Sequence, residues 1–251
     1  MNSVRPKKKL GQHFLNDGNI ARKIVDSLYA GTPDVLEVGP GMGVLTKLLL
    51  QKSAFNVHVV EIDSESVEYL SRHFPELNGK IYFNDFLKWN GPAFSGNFSV
   101  IGNFPYNISS QIFFRILDWR NRVTETVCMV QKEVAERIIS PPGNKTYGIL
   151  SVLLGAYFHT DYLFTVSEQV FIPPPKVKSA VIRLRRNDVE KLPCSEKLFF
   201  QVVKAAFNKR RKMLRNSLAE TGLKLPEQYA DKRPEQLSVA DFVELTKMME
   251  I

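Results

Sequence analysis

Long apolar runs are missing from this chain. No stretch of its 251 residues approaches the roughly 18 consecutive apolar positions that a membrane-spanning helix needs. The amino terminus opens basic, without the apolar segment of a secretory signal. Cysteine is scarce as well. Cys128 and Cys194 show no CxxC spacing and have no histidine cluster beside them, so no metal site is expected and both thiols read as reduced and cytosolic. Internal repeats and low-complexity segments are absent too. Acid is in deficit: 26 Asp and Glu face 34 Lys and Arg, a net charge of +8 that favours a polyanionic partner. Against these gaps, 44% hydrophobic and 24% charged residues are ordinary for a globular chain and leave a sizeable core available. The expectation is a cytoplasmic, monomeric protein with no membrane association.

What is present is a repeated alternation of buried strands and amphipathic helices. Basic Arg5, Lys7, Lys8 and Lys9 precede Leu10-Gly11-Gln12-His13-Phe14-Leu15-Asn16-Asp17, whose Phe14 and Leu15 call for burial. A helix is expected over 18–29. Asp34-Val35-Leu36-Glu37-Val38 reads as a buried strand running into Gly39-Pro40-Gly41-Met42-Gly43, and helical periodicity resumes at Val44. Such a turn lets a ligand approach the backbone at a helix amino terminus. A strand over 57–60 ends at Glu61, 22 residues after Gly39, the spacing of a carboxylate that grips both hydroxyls of a ribose. A helix over 64–74 leads to a strand over 81–83 and then Asp85, which can accept a hydrogen bond from an adenine amine.

A fourth strand, 98–101, is punctuated by Gly102 and runs into Asn103-Phe104-Pro105-Tyr106. The Asn side-chain oxygen and the Pro105 carbonyl can each accept a bond from an exocyclic amine. Tyr106 offers a face on which a base stacks, typically for ~1–3 kcal/mol. A plain turn with a buried tyrosine would look alike. The suitable polar groups at the neighbouring strand ends tip the balance, because open α/β sheets bind ligands there. The glycine turn itself is G-x-G-x-G rather than the G-x-G-x-x-G of nicotinamide and flavin enzymes. Glu37 and Asp85 suit S-adenosylmethionine better, since that sulfonium carries an ammonium and a carboxylate besides its adenosine.

The remainder reads as helices over 108–117 and 131–139, a strand over 127–130, a loop over 141–145, an apolar stretch over 147–157 and a strand over 164–170. Phe171-Ile172-Pro173-Pro174-Pro175 is a stiff extended segment leading to a half-exposed strand over 180–185. Phe171 reads equally as core or as the second wall of a base pocket. A composition break over 187–193 separates an expected first domain, 1–187, from a small helical one, 188–251. In the latter, Lys197, Lys204, Lys209, Arg210, Arg211, Lys212 and Arg215 occur with no acid between 197 and 219, a pattern suited to phosphate contact. Five such contacts would give a log–log salt slope of about −3.5 on single-stranded nucleic acid. A last helix is expected over 234–251.

Five ordered motifs carry a resemblance: Gly11-Gln12-His13-Phe14-Leu15, Glu37-Val38-Gly39-Pro40-Gly41-Met42-Gly43, the Asn103–Tyr106 tetrapeptide, Phe171-Ile172-Pro173-Pro174-Pro175-Lys176-Val177-Lys178-Ser179 and Phe207-Asn208-Lys209-Arg210-Arg211-Lys212-Met213-Leu214-Arg215. From about residue 5 to its end the chain resembles the bacterial small-subunit rRNA adenine N6,N6-dimethyltransferases. The resemblance implies a Rossmann-like class I methyltransferase with a mostly parallel seven-stranded sheet and a small all-α carboxyl-terminal domain. It also implies S-adenosylmethionine as donor, and two adjacent adenosines near the 3′ end of small-subunit rRNA as substrate, within the small subunit or its precursor, with a role in assembly. Carried over by position, His13, Leu15, Gly39, Gly41, Glu61, Asp85 and Asn103 would bind the cofactor. Asn103, Pro105, Tyr106 and Phe171 would act on a flipped adenine, and Lys204, Lys209, Arg210, Arg211, Lys212 and Arg215 on RNA. Position 13 is commonly Asn in that family and is His here; Phe104 stands where Leu is commoner. Competing readings are the related large-subunit methyltransferase of macrolide resistance, which shares the tetrapeptide, and a non-catalytic RNA-binding assembly factor. A nicotinamide oxidoreductase explains neither the tetrapeptide nor the basic segment.

Overall fold

The structure is a computed structural model that describes residues 4–7, 10–29 and 31–250. Lys8 and Lys9 lie outside that set. Among the described residues no helix is long and apolar enough to cross a membrane.

The chain opens with β1 (Phe14–Leu15) and α1 (Gly18–Asp26). Asp17 starts that helix by accepting from the amides of Asn19 (2.8 Å) and Ile20 (3.0 Å), two of the donors a helix start leaves unpaired. The alternation then follows as expected: β2 (Asp34–Val38), α2 (Thr46–Leu50), β3 (Asn56–Glu61), α3 (Ser64–His73), β4 (Ile81–Phe83), β5 (Phe98–Asn103), α4 (Ser109–Asp118), β6 (Val123–Gln131) and α5 (Lys132–Ile139). After α6 (Ile149–Gly155) come β7 (Phe158–Val166), β8 (Phe171–Ile172) and β9 (Ser179–Arg186).

Seven strands form one sheet in the order β4-β3-β2-β5-β6-β9-β7, and β1 pairs with β8 in a separate antiparallel ribbon. β2 pairs in parallel with β3 and β5, and β5 with β6, whereas β6 and β9 are antiparallel. The chain steps outward from β2 to β4 and then returns to β5 on the other flank. That reversal opens a crevice beyond the carboxyl ends of β2 and β5. The registers Val38↔Val60 and Glu61↔Phe83 align strand ends, so Gly39, Glu61 and Asn84 arrive at one edge.

The core explains the patterning. Val35, Val57, Val59, Ile101, Val127, Met129 and Val181 from the sheet are buried with Ala21, Ile24 and Val25 of α1 and Leu70 of α3. Four expectations change. Gly102 continues β5 rather than ending it, since it still pairs with Cys128 of β6; a glycine is needed there because a Cβ would sit 2.5 Å from the Val38 carbonyl oxygen. The strand expected over 164–170 instead occupies Phe158–Val166; Ser167 then accepts from the Gln169 amide at 3.3 Å and begins a 3-10 turn. β9 is mostly buried rather than half-exposed, since an inner strand has both faces covered. The last helix, α10 (Val239–Met248), starts later than 234, where Ser238 and Asp241 form a reciprocal cap.

Two compact units result. The first holds residues up to Ala135 plus Asp161–Arg186, and the second Glu136–Thr160 with Asn187–Ile251. This differs from a division at 187/188 by the stretch 136–160. Leu150, Val152, Leu153 and Leu154 of α6 are buried, and α6 packs on α7 (Glu196–Asn208) and α10. In the same unit Phe207 meets Tyr147 edge-on and lies against Phe242 at 5.9 Å between ring centres. The short helices α8 (Leu214–Ser217) and α9 (Glu227–Ala230) complete it.

Candidate active site

At the crevice of the first unit lies a cavity of about 260 Å³. Its walls include His13, Gly39, Gly41, Glu61, Asp85, Asn103, Pro105 and Tyr106, eight of the ten positions singled out for cofactor and substrate. Leu15 and Phe171 do not line it. They pair with each other in the β1–β8 ribbon, and both are buried in the core cluster. Phe171 packs in the core and is 2% exposed.

The floor is the glycine turn. Gly39 and Gly41 have φ of +67° and +56°, a region that side chains with a Cβ avoid. A Cβ at Gly41 would also lie 2.7 Å from the Phe14 ring, so the glycine lets the amino-terminal segment close over the turn. A Cβ at Gly39 would meet open space, which leaves its backbone approachable from the cavity.

Glu61 forms one wall and is 4% exposed. Its Oε1 accepts from the amides of Ile62 (2.8 Å) and Asp63 (2.9 Å), and its Oε2 from that of Gly41 (3.1 Å). Burial pushes its pKa up, and these three bonds oppose the rise. A carboxylate has about four lone-pair sites. Three are taken, and the free one is on Oε2. Glu37, just before the turn, is not a wall residue. It is 1% exposed and receives the Thr46 hydroxyl at 2.6 Å. Burial pushes its pKa up to about 8, with Glu61 nearby adding to the rise. Burial thus favours the neutral form of Glu37, which the Thr46 hydroxyl ties to the start of α2. Asp85 accepts from the Leu87 amide at 3.0 Å and keeps its other oxygen 3.9 Å from the exposed Lys88 ammonium.

The tetrapeptide closes the opposite wall. Asn103 ends β5 and its amide NH2 donates to the His13 main-chain carbonyl at 2.8 Å. That bond settles which way the carboxamide is turned, leaving Oδ1 as the unused acceptor. Phe104 is 1% exposed, packs edge-on against Phe113 and donates its amide to the Met129 carbonyl (3.0 Å), which anchors the turn in the core. The Pro105 carbonyl accepts the Ile108 amide at 3.2 Å, so one of its two lone pairs is committed. The Tyr106 hydroxyl bonds that of Ser179, and its ring stacks on His13 with centroids 5.3 Å apart and planes at 27°. Burial raises the Tyr106 pKa.

His13 accordingly plays two parts that sequence reasoning did not separate. Its carbonyl holds Asn103, a role any residue type can fill. Its Nδ1 lies 2.8 Å from the Pro173 carbonyl, which makes Nδ1 the protonated nitrogen and Nε2 the acceptor in the neutral ring. Lys7, one of the basic residues that precede Leu10, has fixed partners. It forms ion pairs with Asp63 and with Glu65 (3.0 Å), and its amide donates to Gln12 Oε1 (2.8 Å). Burial alone would raise the Asp63 pKa, but the Lys7 ammonium outweighs it and holds the carboxyl below its ordinary value. No local pattern announces such a pairing across 56 residues.

The basic residues belong to the second unit. Lys204 is on the exposed face of α7, and the others follow its carboxyl end. Lys209 pairs with Glu220 at 2.5 Å and Arg215 with Asp231 at 2.6 Å, while Arg210 donates to the Asn144 carbonyl at 3.2 Å. Arg211 and Lys212 are exposed.

The family model described as "Ribosomal RNA adenine dimethylase" matches residues 3–250. A protein of Flavobacterium johnsoniae named "Ribosomal RNA small subunit methyltransferase A" is 58% identical, over all of this chain and 98% of its own length. One of the same name from Parabacteroides distasonis is 57% identical over 98% of this chain and 94% of its own. Among solved structures, a dimethyladenosine transferase of Plasmodium falciparum superposes with a TM-score of 0.75 at 24% identity, over 93% of this chain and 96% of the other, a likeness of fold. The 23S rRNA methyltransferase ErmE gives 0.68 at 25% identity over 93% and 99%.

Proposed function

The chain belongs to the ribosomal RNA adenine dimethylase family, and from that premise we propose that it transfers methyl groups from S-adenosylmethionine to the N6 amines of two adjacent adenosines near the 3′ end of small-subunit rRNA. The observation that carries the reading is the Asn103 carboxamide, held at its NH2 by the His13 carbonyl so that Oδ1 remains for an amine hydrogen. An adenine N6 is a poor nucleophile because its lone pair is delocalised into the ring. Acceptance of its two hydrogens by Asn103 Oδ1 and the second lone pair of the Pro105 carbonyl favours a pyramidal nitrogen with that pair available. Tyr106, braced by Ser179, supplies the stacking face for a base flipped from its neighbours. When bound, the donor supplies an electrophilic methyl: the new N–C bond forms as the S–C bond breaks, its electrons go to sulfur, and the nitrogen sheds a proton afterwards. No strong base is required of the protein, so positioning is its main contribution, worth up to ~7–11 kcal/mol.

The wall residues fit this donor. Glu61 Oε2 has a lone pair for a ribose hydroxyl, Asp85 can accept from an adenine amine, and the open backbone at Gly39 admits the rest. The basic residues of the second unit suit rRNA phosphates. A small subunit or its precursor is the expected particle, and the protein is expected to act as a cytoplasmic monomer.

The test is transfer of labelled methyl groups to small subunits lacking the modification, followed by mapping of the modified nucleotides. Two methyls on each of two neighbouring adenosines are expected. Label confined to large-subunit rRNA would assign the chain to the macrolide-resistance type. Absence of transfer to either subunit, with the protein folded, would sink the proposal.

A further inference from the structure

One surface of the first unit is unused by the chemistry above. The segment 172–178, from the last residue of β8 to the residue before β9, reads Ile-Pro-Pro-Pro-Lys-Val-Lys. Ile172 is 55% exposed and Val177 46%, which is unusual for large aliphatic side chains in this chain. Lys176 and Lys178 flank Val177, are exposed, and have no acid beside them in the segment. Three successive prolines limit how far the segment can flex.

Both ends of the segment are tied to the cavity. At its start Ile172 is paired with Phe14, and the Pro173 carbonyl accepts from His13; Phe14 and His13 are both wall residues. At its end the Lys178 carbonyl accepts the Lys132 amide at 3.0 Å, and Ser179 bonds the Tyr106 hydroxyl. The segment that carries the two exposed aliphatic groups is thus fixed at both ends to residues of the cavity wall or to their bonding partners.

Withdrawing an adenine from its stack leaves a gap with apolar faces above and below. Nucleic-acid-binding proteins that unstack bases fill such gaps with aliphatic side chains. Ile and Val are stiff at χ1 and lose little rotamer freedom in doing so. Ammonium groups one residue away would meet the flanking phosphates. We propose that residues 172–178 form a wedge that occupies the RNA stack beside the flipped adenosine, with Ile172 and Val177 against base faces and Lys176 and Lys178 on the adjoining phosphates. This inference rests on the adenine-methylating reading.

The experiment compares wild type with an Ile172→Ser/Val177→Ser double variant. Substrates are small subunits reconstituted with rRNA that carries either the natural base or an abasic site next to the target adenosine. Both side chains are exposed, so the thermal midpoint and the calorimetric affinity for S-adenosylmethionine should match wild type. On natural rRNA the variant is expected to lose about tenfold or more in kcat/KM, the scale of one unstacked base step. On abasic rRNA, where the gap already exists, it should recover to the wild-type rate, a rescue that a merely structural defect would not show. Wild-type turnover by the variant on natural rRNA overturns the wedge, as does a loss that persists on abasic rRNA. A wild-type protein inert on both substrates overturns the methyl-transfer reading instead.

Discussion

Asn103 shows how much one side chain can depend on a neighbour's backbone. One N–H of its amide is committed to the His13 carbonyl, which fixes the turn of the carboxamide and leaves its oxygen as the acceptor for substrate. Asn103→Ala is expected to reduce methyl transfer at least 100-fold while cofactor affinity falls only a few-fold, since several other wall groups also hold the donor; single-turnover assays paired with calorimetry check this, and near-normal turnover contradicts the mechanism. Glu61 makes the opposite case. Glu61→Gln removes the charge that three amides point at, and a hydrogen bond to a charged group contributes about 1.5–3 kcal/mol. A loss of roughly tenfold or more in affinity for S-adenosylmethionine follows, measurable by calorimetry. Glu37 carries a pH signature. It ionises near 4.5 when unfolded but holds its proton up to about 8 in the fold. Its stabilising contribution is therefore complete below the unfolded value and is lost as pH rises through the folded one. Glu37→Gln, a mimic of the neutral acid, should gain on wild type by about 1 kcal/mol or more between about pH 5 and about pH 9. Thermal unfolding across that range reads it, and a pH-independent difference would argue for an ionised Glu37.

At the level of elements, the amino-terminal segment and the glycine turn act as one unit. β1 is only two residues long, and it is held by pairing with β8, by the Asn103–His13 bond and by the Phe14 ring over Gly41. Gly41→Ala forces a side chain into the left-handed region, at about 1–2 kcal/mol, and pushes it into Phe14 as well. The expected outcome is a lower thermal midpoint together with a weakened cofactor site, seen as increased hydrogen exchange over residues 10–17. An unchanged exchange pattern would mean that the segment does not rest on the turn.

For the whole molecule, charge is the property that reaches furthest. Six basic residues from 204 to 215 are concentrated in the second unit, and some of them are already paired: Lys209 with Glu220 and Arg215 with Asp231. Exposed pairs of this kind are weak, so a phosphate can replace the carboxylate at small cost. Neutralising Arg210, Arg211 and Lys212 to Gln is expected to lower the magnitude of the log–log salt slope for rRNA binding by up to ~2, at ~0.7 per phosphate contact, with cofactor affinity unaltered. Filter binding at several salt concentrations tests it, and an unchanged slope would remove the segment from the RNA interface.

The sequence alone determined the strand–helix alternation, the glycine turn, the reach from Gly39 to Glu61 and the tetrapeptide, because each is written within one or two adjacent elements. A period of two or 3.6, or a positive φ that only glycine tolerates, needs no distant partner to be legible. Tertiary structure decided the remainder. β9 entered the sheet between β6 and β7 and became buried, residues 136–160 joined the carboxyl-terminal helices, and Phe171 went to the core rather than to the pocket. It also decided which lone pairs of Glu61 and Pro105 remain free, and that His13 holds Asn103 through its backbone. Those outcomes depend on which groups meet across many residues of chain, and a hydrogen-bond acceptor shows how much of its capacity is left only once its partners are in place.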